Sequence, residues 1–249
     1  MFRDITLKSF LSVVFLFSIA TASYSSEEYN PDPWESVNRK LFTFNEWLDT
    51  YLAKPAAEGY RFVMPALADK GVTNFFRNLG EVENTVNNLL QLKFEGAGIS
   101  VSRFSINSTV GWFGLVDIAS DAGIFERDED FGQTLGYWGV PNGPYLMMPF
   151  FGPTTLRDGV GRVADSYTNP MGYEPLDSEL HSDTKLGLTA LNAIDKRADL
   201  LAAERVVFGD DKYAFVRDAY LQTREFKVND GVVADPFADS VDDFEDLPE

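Results

Sequence analysis

The chain has 249 residues, 45% of them hydrophobic, no cysteine, and a formal net charge of −18 at pH 7. It lacks the Lys and Arg surplus that neutralises phosphates, which excludes nucleic acid as a partner and equally excludes Coulomb attraction to anionic lipid. The missing thiols exclude disulfides and thiolate metal centres, so any membrane contact has to be apolar.

Residues 1–22 carry the three parts of a cleavable secretory signal. Arg3 and Lys8 supply the basic start, Phe10 to Ile19 the apolar stretch, and Ala20-Thr21-Ala22 the small-x-small cleavage signature. That stretch is shorter than the roughly 20 apolar residues a bilayer span needs, and no later run approaches that length. The expectation is an exported chain without an acylated N-terminal cysteine, in which 23–31 is a polar linker.

Helical spacing begins at Asp32. Asp32 suits an N-cap, Pro33 the first helical position and Glu35 the third. Trp34, Val37, Leu41, Phe44, Leu48, Tyr51 and Leu52 then predict a helix that Pro55 stops. Phe42 and Trp47 widen its apolar face, so it reads either as a core-facing helix or as one lying in a membrane interface, seated by Phe42, Phe44 and Trp47. Further helices are expected over about 69–79, capped by Asp69, and about 81–92. Residues 95–119 interleave small with large apolar side chains and suggest a closely packed helix pair.

Residues 120–153 are rich in Gly and Pro. Pro141-Asn142-Gly143 marks a turn, and a short hairpin is expected here, the one place where strand is. Thr155 to Asp158 resembles a capping box and opens a helix to about Tyr167, broken by Asn169-Pro170. A long helix over about 184–206, capped by Asp183, and a last one over about 210–225 follow. From Asp230 onward there are eight acidic residues and no basic one, which reads as a self-repelling, disordered tail. The fold class is mainly α, with no βαβ alternation.

No catalytic pattern emerges. Gly-x-Ser-x-Gly is absent, and His181, the single histidine, sits in a polar pre-helix loop that suits a solvated residue better than a triad member. Neither Gly-rich phosphate loop is present. Asp128-Glu129-Asp130 reads as a solvated acidic turn and lacks the calcium-loop pattern. Many aromatics (Phe 21, Tyr 10, Trp 4) sit on this acidic frame. Several cluster with Gly and Pro in the centre, a pattern that suits a surface meeting lipid.

Several stretches together resemble the MlaA (VacJ) family. They are Asp32 to Arg39 with Phe42-Thr43-Phe44-Asn45, Asn74 to Leu79 with Glu81 and Val86-Asn87, and Arg103-Phe104 with Asn107 to Gly111 and Leu115 to Ala119. The most specific is Phe131 to Val140 with Gly143-Pro144-Tyr145, Pro149 to Gly152 and Leu156-Arg157-Asp158, and Tyr213 to Gln222 closes the match. The resemblance runs in order over roughly 31–228. It divides the chain into 1–22, a signal peptide; 23–31, a linker; 32–228, the MlaA-like helical domain; and 229–249, the acidic tail.

The resemblance implies a ring-like assembly of amphipathic helices in the inner, periplasmic leaflet of a bacterial outer membrane. It implies passive translocation of mislocalised phospholipid from the outer leaflet through a central amphipathic channel, delivery to a soluble periplasmic carrier, and a trimeric porin as neighbour, with no cofactor. A headgroup crossing hydrocarbon needs such a polar path, because an unpaired buried charge is strongly unfavourable. Family members are usually lipoproteins, and this chain departs from that pattern in having no cysteine. Within the domain, Gly136, Gly139 and Gly143 mark either a mobile loop at the channel mouth or simple turns. Arg103 and Arg157 either meet lipid phosphate or form structural pairs. A porin-associated scaffold and a phospholipase are the rival readings.

Overall fold

The computed structural model describes residues 30–170, 182–201 and 211–232. The chain separates into two units, Met1–Pro33 and Trp34–Glu249. Of the first, residues 30–33 are described, and there the Asn30 carboxamide accepts from the Asp32 N–H at 2.9 Å. The expected signal peptide, the acidic tail beyond residue 232 and His181 lie outside the described residues.

The second unit is mainly helical, as expected, and its first helices correct two expectations. Helix α1 (Glu35–Leu48) starts at Glu35 rather than Pro33, and Trp34 before it offers no side-chain cap. Pro55 does not stop the helix. A π turn over Asp49–Ala53 widens the backbone, and α2 (Lys54–Val63) continues with Pro55 in its first turn, where the missing N–H is not needed. The two helices expected over 69–92 are one helix of 25 residues, α3 (Ala66–Leu90), and Asp69 lies in its first turn. Gly80, which lies between the two expected helices, is carried inside it at a propensity cost of about 1 kcal/mol.

The expected helix pair over 95–119 is α4 (Phe94–Thr109), a run of turns, and the single-turn α5 (Ile118–Asp121). In those turns two consecutive aromatics, Trp112 and Phe113, take left-handed backbone angles (φ 54° and 60°). The conformation costs roughly 1–2 kcal/mol per residue and turns both rings outward, 75% and 80% exposed.

Helix α6 (Phe131–Tyr137) leads to the hairpin of β1 (Tyr145–Met148) and β2 (Gly152–Thr155), antiparallel with Tyr145 opposite Thr155 and Met148 opposite Gly152. Its turn is Pro149-Phe150-Phe151, not Pro141-Asn142-Gly143. Helix α7 (Leu156–Thr168) opens as expected, with the Thr155 hydroxyl accepting from the Asp158 N–H at 3.2 Å. Helices α8 (Ser182–Leu200) and α9 (Lys212–Val228) complete the unit.

These elements close a circuit. Helix α1 packs on β1, β2 on α7, α7 on α6, α6 on α3, α3 on α8 and α8 on α2, which returns through the π turn to α1. Helix α4 lies along α3, and α9 lies against α6 and β2. This is the ring-like order of helices that the resemblance implied.

Burial in this circuit is inverted. Among the described residues the buried hydrophobics are four alanines plus Tyr145, Met147 and Tyr213, whereas Asn, Gln, Glu, Asp and Arg side chains fill the interior. On α3 the buried positions are Asp69, Gly71, Asn78, Glu81, Asn84, Asn87 and Asn88. The apolar side chains of that helix, from Val72 to Leu90, are half-buried or exposed. Phe62 (91%), Leu67 (85%), Phe94 (69%) and Phe125 (70%) point outward. Water-soluble monomers rarely show apolar exposure on this scale.

Candidate functional site

Two networks of side chains hold the polar interior. In the first, α3 meets α4 and α5. Arg103 pairs with Glu81 and donates to the Ser120 hydroxyl at 3.0 Å, the Ile124 carbonyl at 2.5 Å and Asp117 at 3.2 Å. Asn107 donates to Asp117 at 2.9 Å, and its oxygen accepts from the Ala119 N–H. Burial works against the Asp117 carboxylate, yet hydrogen bonds from Ser120, Asn107 and Arg103 bring its pKa down to about 2.

In the second, α6, α7 and α9 meet α3. The Arg224 guanidinium grips Asp130 at 2.5 and 2.8 Å and reaches Asp158 at 3.0 Å. The Tyr220 hydroxyl also donates to Asp158. Gln91 bridges Glu129 and Thr134, and Thr134 donates to Asn87. The backbones of α6 and α7 touch here, since a Cβ on Gly161 would come within 2.5 Å of the Gly132 nitrogen. Two interior acids face this seam. Burial first, and then neighbouring carboxylates, push Glu83 up to about 8. Burial pushes Asp165 up to about 6, although the Phe131 N–H and Asn87 donate to it.

A cleft of about 1020 Å³ opens between α1, the π turn, α2, the hairpin, α8 and α9. Its apolar lining includes Phe42, Leu48, Met147, Phe150, Phe151 and Val216. Charged groups line it as well. Arg197 grips Asp49 at 2.5 and 2.8 Å, Lys212 pairs with Glu46 at 2.5 Å, and Lys54 and Glu58 line the same space. An amphipathic cleft with paired charges can take a molecule that has an ionic end and an apolar body.

The hairpin beside the cleft is fixed by two asparagines of α1. The Asn38 amide donates to the Tyr145 carbonyl at 3.1 Å, and its oxygen accepts from the Met147 N–H at 3.0 Å. Asn45, two turns on, donates to the Met148 carbonyl and accepts from the Phe150 N–H, both at 2.9 Å. The two amides stand where a third strand would pair with β1. Arg39 on the same helix grips Asp211 and lies 4.4 Å over the Tyr213 ring.

The structure divides the residues expected from sequence. Phe44 and Trp47 are exposed and stacked at 6.4 Å, and Phe44 meets Phe150 edge-on at 5.5 Å. Phe42 turns inward, edge-on to Tyr213 at 5.6 Å, and lines the cleft. Arg103 and Arg157 do not line it. Arg103 takes the structural pairing left open by the sequence, and Arg157 is buried between Asp158 (3.2 Å) and the Val140 carbonyl (3.3 Å). The three glycines are not one loop. Gly136 lies within α6, where a Cβ would meet Arg157 and Val228 at 2.8 Å. Gly139 and Gly143 have φ of 86° and 65° in the connection to β1, and none of the three lines the cleft.

Sequence reasoning missed Asn38, Asn45, Glu46, Asp49, Arg197 and Lys212. The seven-residue spacing of the asparagines, which places both on one helix face, was the available signal for the first two. The charged pairs link positions some 150 residues apart and left no local trace.

Comparison with known proteins agrees with this architecture. Residues 30–227 match the family model of the MlaA lipoprotein. The intermembrane phospholipid transport system lipoprotein MlaA of Escherichia coli is 35% identical over 235 residues, covering 91% of each chain. Its Haemophilus influenzae counterpart is 33% identical over 204 residues, 80% of each. An uncharacterized Rickettsia typhi protein is 37% identical over 200 residues, 79% of this chain and 78% of that one. A solved structure from work on the structural basis for maintenance of bacterial outer membrane lipid asymmetry superposes with a TM-score of 0.69. It is 36% identical and covers 80% of this chain and 100% of its own.

Proposed function

Because the chain belongs to the MlaA lipoprotein family, we propose that it is a passive phospholipid channel that maintains the lipid asymmetry of an outer membrane. It lies in the periplasmic leaflet, takes mislocalised phospholipid from the outer leaflet, and hands it to a soluble periplasmic carrier beside a trimeric porin. The observation that carries this reading is the inverted burial. Apolar side chains face outward around the circuit, while hydrogen-bonded polar groups fill it.

Each half of that inversion has a physical use. No described helix is long and apolar enough to cross a membrane, so in-plane contact through residues such as Trp47, Phe62, Trp112 and Phe113 is what holds the domain in a leaflet. At about 25 cal/mol per Å², burying on the order of 1,000 Å² of this surface gives roughly 25 kcal/mol before ordering costs. The polar interior and the amphipathic cleft supply the route for a headgroup, whose desolvation in hydrocarbon would otherwise block transfer. Phe150 and Phe151 of the hairpin turn line that cleft.

The test is reconstitution. Protein in liposomes bearing a fluorescent phospholipid should pass that lipid to a soluble lipid-binding acceptor without nucleotide. Release of free fatty acid would favour a phospholipase instead. Binding to porin with no lipid movement would leave a scaffold.

A further inference from the structure

We propose that the cleft selects a zwitterionic phospholipid headgroup, one carrying a phosphodiester and an ammonium, over an anionic headgroup. The inference rests on reading the cleft as a lipid path and adds which lipid it prefers. Its first support is charge balance. The cleft is lined by three acids (Glu46, Asp49, Glu58) and three bases (Lys54, Arg197, Lys212), so its walls are neutral in a chain whose net charge is −18.

The second support is arrangement. Glu46 and Asp49 stand three residues apart, on one side of the continuous helical run from α1 into the π turn. Their partners face them from two other helices, Lys212 from α9 and Arg197 from α8. The two pairs differ in exposure. The side chains of Arg197 and Asp49 are 14% and 33% exposed, and their bidentate contact is the firmer. Those of Lys212 and Glu46 are 44% and 39% exposed, and so open a pair is weakly held.

A headgroup therefore enters by exchange at Glu46–Lys212. Its phosphodiester takes the Lys212 ammonium, its own ammonium takes the released Glu46 carboxylate, and every charge is paired before and after. With an anionic headgroup the phosphate still takes Lys212, but Glu46 is left beside an anion with no counter-charge, which disfavours that complex. The apolar lining residues, among them Phe150, Phe151 and Val216, receive the acyl chains, so the ligand is a diacyl lipid and not a free phosphate ester.

The experiment uses the full chain in detergent, exposed to an equimolar mixture of phosphatidylethanolamine and phosphatidylglycerol with identical acyl chains. Retained lipid is counted by mass spectrometry after repurification. The unaltered protein should retain the ethanolamine lipid in excess. Glu46→Gln should move the ratio toward the glycerol lipid by about three- to fivefold, and Lys212→Gln should move it the opposite way. A merely structural pair would move both variants in one direction or neither, and that result overturns the proposal. Equal retention of both lipids by the unaltered protein removes this inference and leaves the lipid path standing; retention of neither removes both. Excess glycerophosphoethanolamine, which has no acyl chains, should not displace the lipid, and displacement would overturn its assignment as a diacyl ligand.

Discussion

Replacing Arg103 with Met removes the cation from the most deeply buried ion pair while nearly keeping its volume. Arg103 is 1% exposed and Glu81 0%. After the change Glu81 keeps only the Asn84 amide, at 3.2 Å. Burial pushes the Glu81 carboxyl above its ordinary value of 4.5 while the Arg103 contact pulls it down, so removing the arginine raises it further. Proton uptake at pH 7 from an unfolded value of 4.5 costs at most about 3.4 kcal/mol, at about 1.36 kcal/mol per pH unit, and the native carboxyl, already raised, carries part of that cost. The Ile124 carbonyl loses its donor as well, which adds about 1–2 kcal/mol. The expected loss at pH 7 is about 3–5 kcal/mol, the usual range for breaking a buried pair. The variant's folded pKa for Glu81 is raised, so the folded state holds the extra proton and stability falls as pH rises above 4.5. At pH 5 the loss should shrink to about 2 kcal/mol. Denaturant unfolding of the detergent-solubilised protein at both pH values measures it, and Glu81→Leu with Arg103→Met should recover most of the difference. A loss below about 1 kcal/mol at pH 7, or the same loss at both pH values, would refute the reasoning.

Gly161→Ala should lower stability by at least about 2 kcal/mol, because its Cβ meets the Gly132 backbone at 2.5 and 2.8 Å, whereas Gly139→Ala, strained at φ 86° but in open space, should cost about 1 kcal/mol; paired thermal melts compare them. Glu83 is pushed up to about 8, so the native protein loses stability relative to Glu83→Gln as pH rises from about 4.5 through 8. Melting curves from pH 5 to 9 should therefore diverge upward for the variant, and parallel curves would contradict the burial of that carboxyl. Asn38→Ala removes both amide bonds to β1 and should cost about 2–3 kcal/mol, detectable by denaturant unfolding. Phe44→Ser with Trp47→Ser should weaken flotation with liposomes while leaving the melting temperature in detergent near the original, because both side chains face outward; unchanged flotation would remove them from the membrane face.

Much of the element list was legible. The Thr155 cap followed from cap chemistry and the hairpin from the Gly- and Pro-rich segment, although its turn lies elsewhere; helical spacing marked α1, α9 and the span of α3, which it divided in two. Which face of each helix turned inward was not legible. A period of 3.6 residues separates two faces of a helix but does not say whether water or hydrocarbon lies outside it. On α3 the apolar residues from Val72 to Leu90 fall at helical spacing, yet the Asn and Glu side chains between those positions do the packing. The stop at Pro55 failed because a π turn re-phases the backbone before it, a tertiary device with no local sequence signal. The two arginines offered for lipid phosphate were plausible by chemistry alone. Partners such as Glu81 and Asp158 claimed them in the fold, and the cations that reach the cleft come from distant helices.

The asparagine clamp on the hairpin has a consequence in time. Its bonds span 107 residues at Asn38 and 103 at Asn45. Translation proceeds at about 5–20 residues per second, so α1 is complete some 5–20 s before the strand it secures exists. Throughout that interval Phe44 has no Phe150 ring to close against. A ribosome stalled before Tyr145 therefore holds a chain whose opening helix is unanchored, and arrest-peptide fusions of increasing length should register folding force only after residue 148 has emerged.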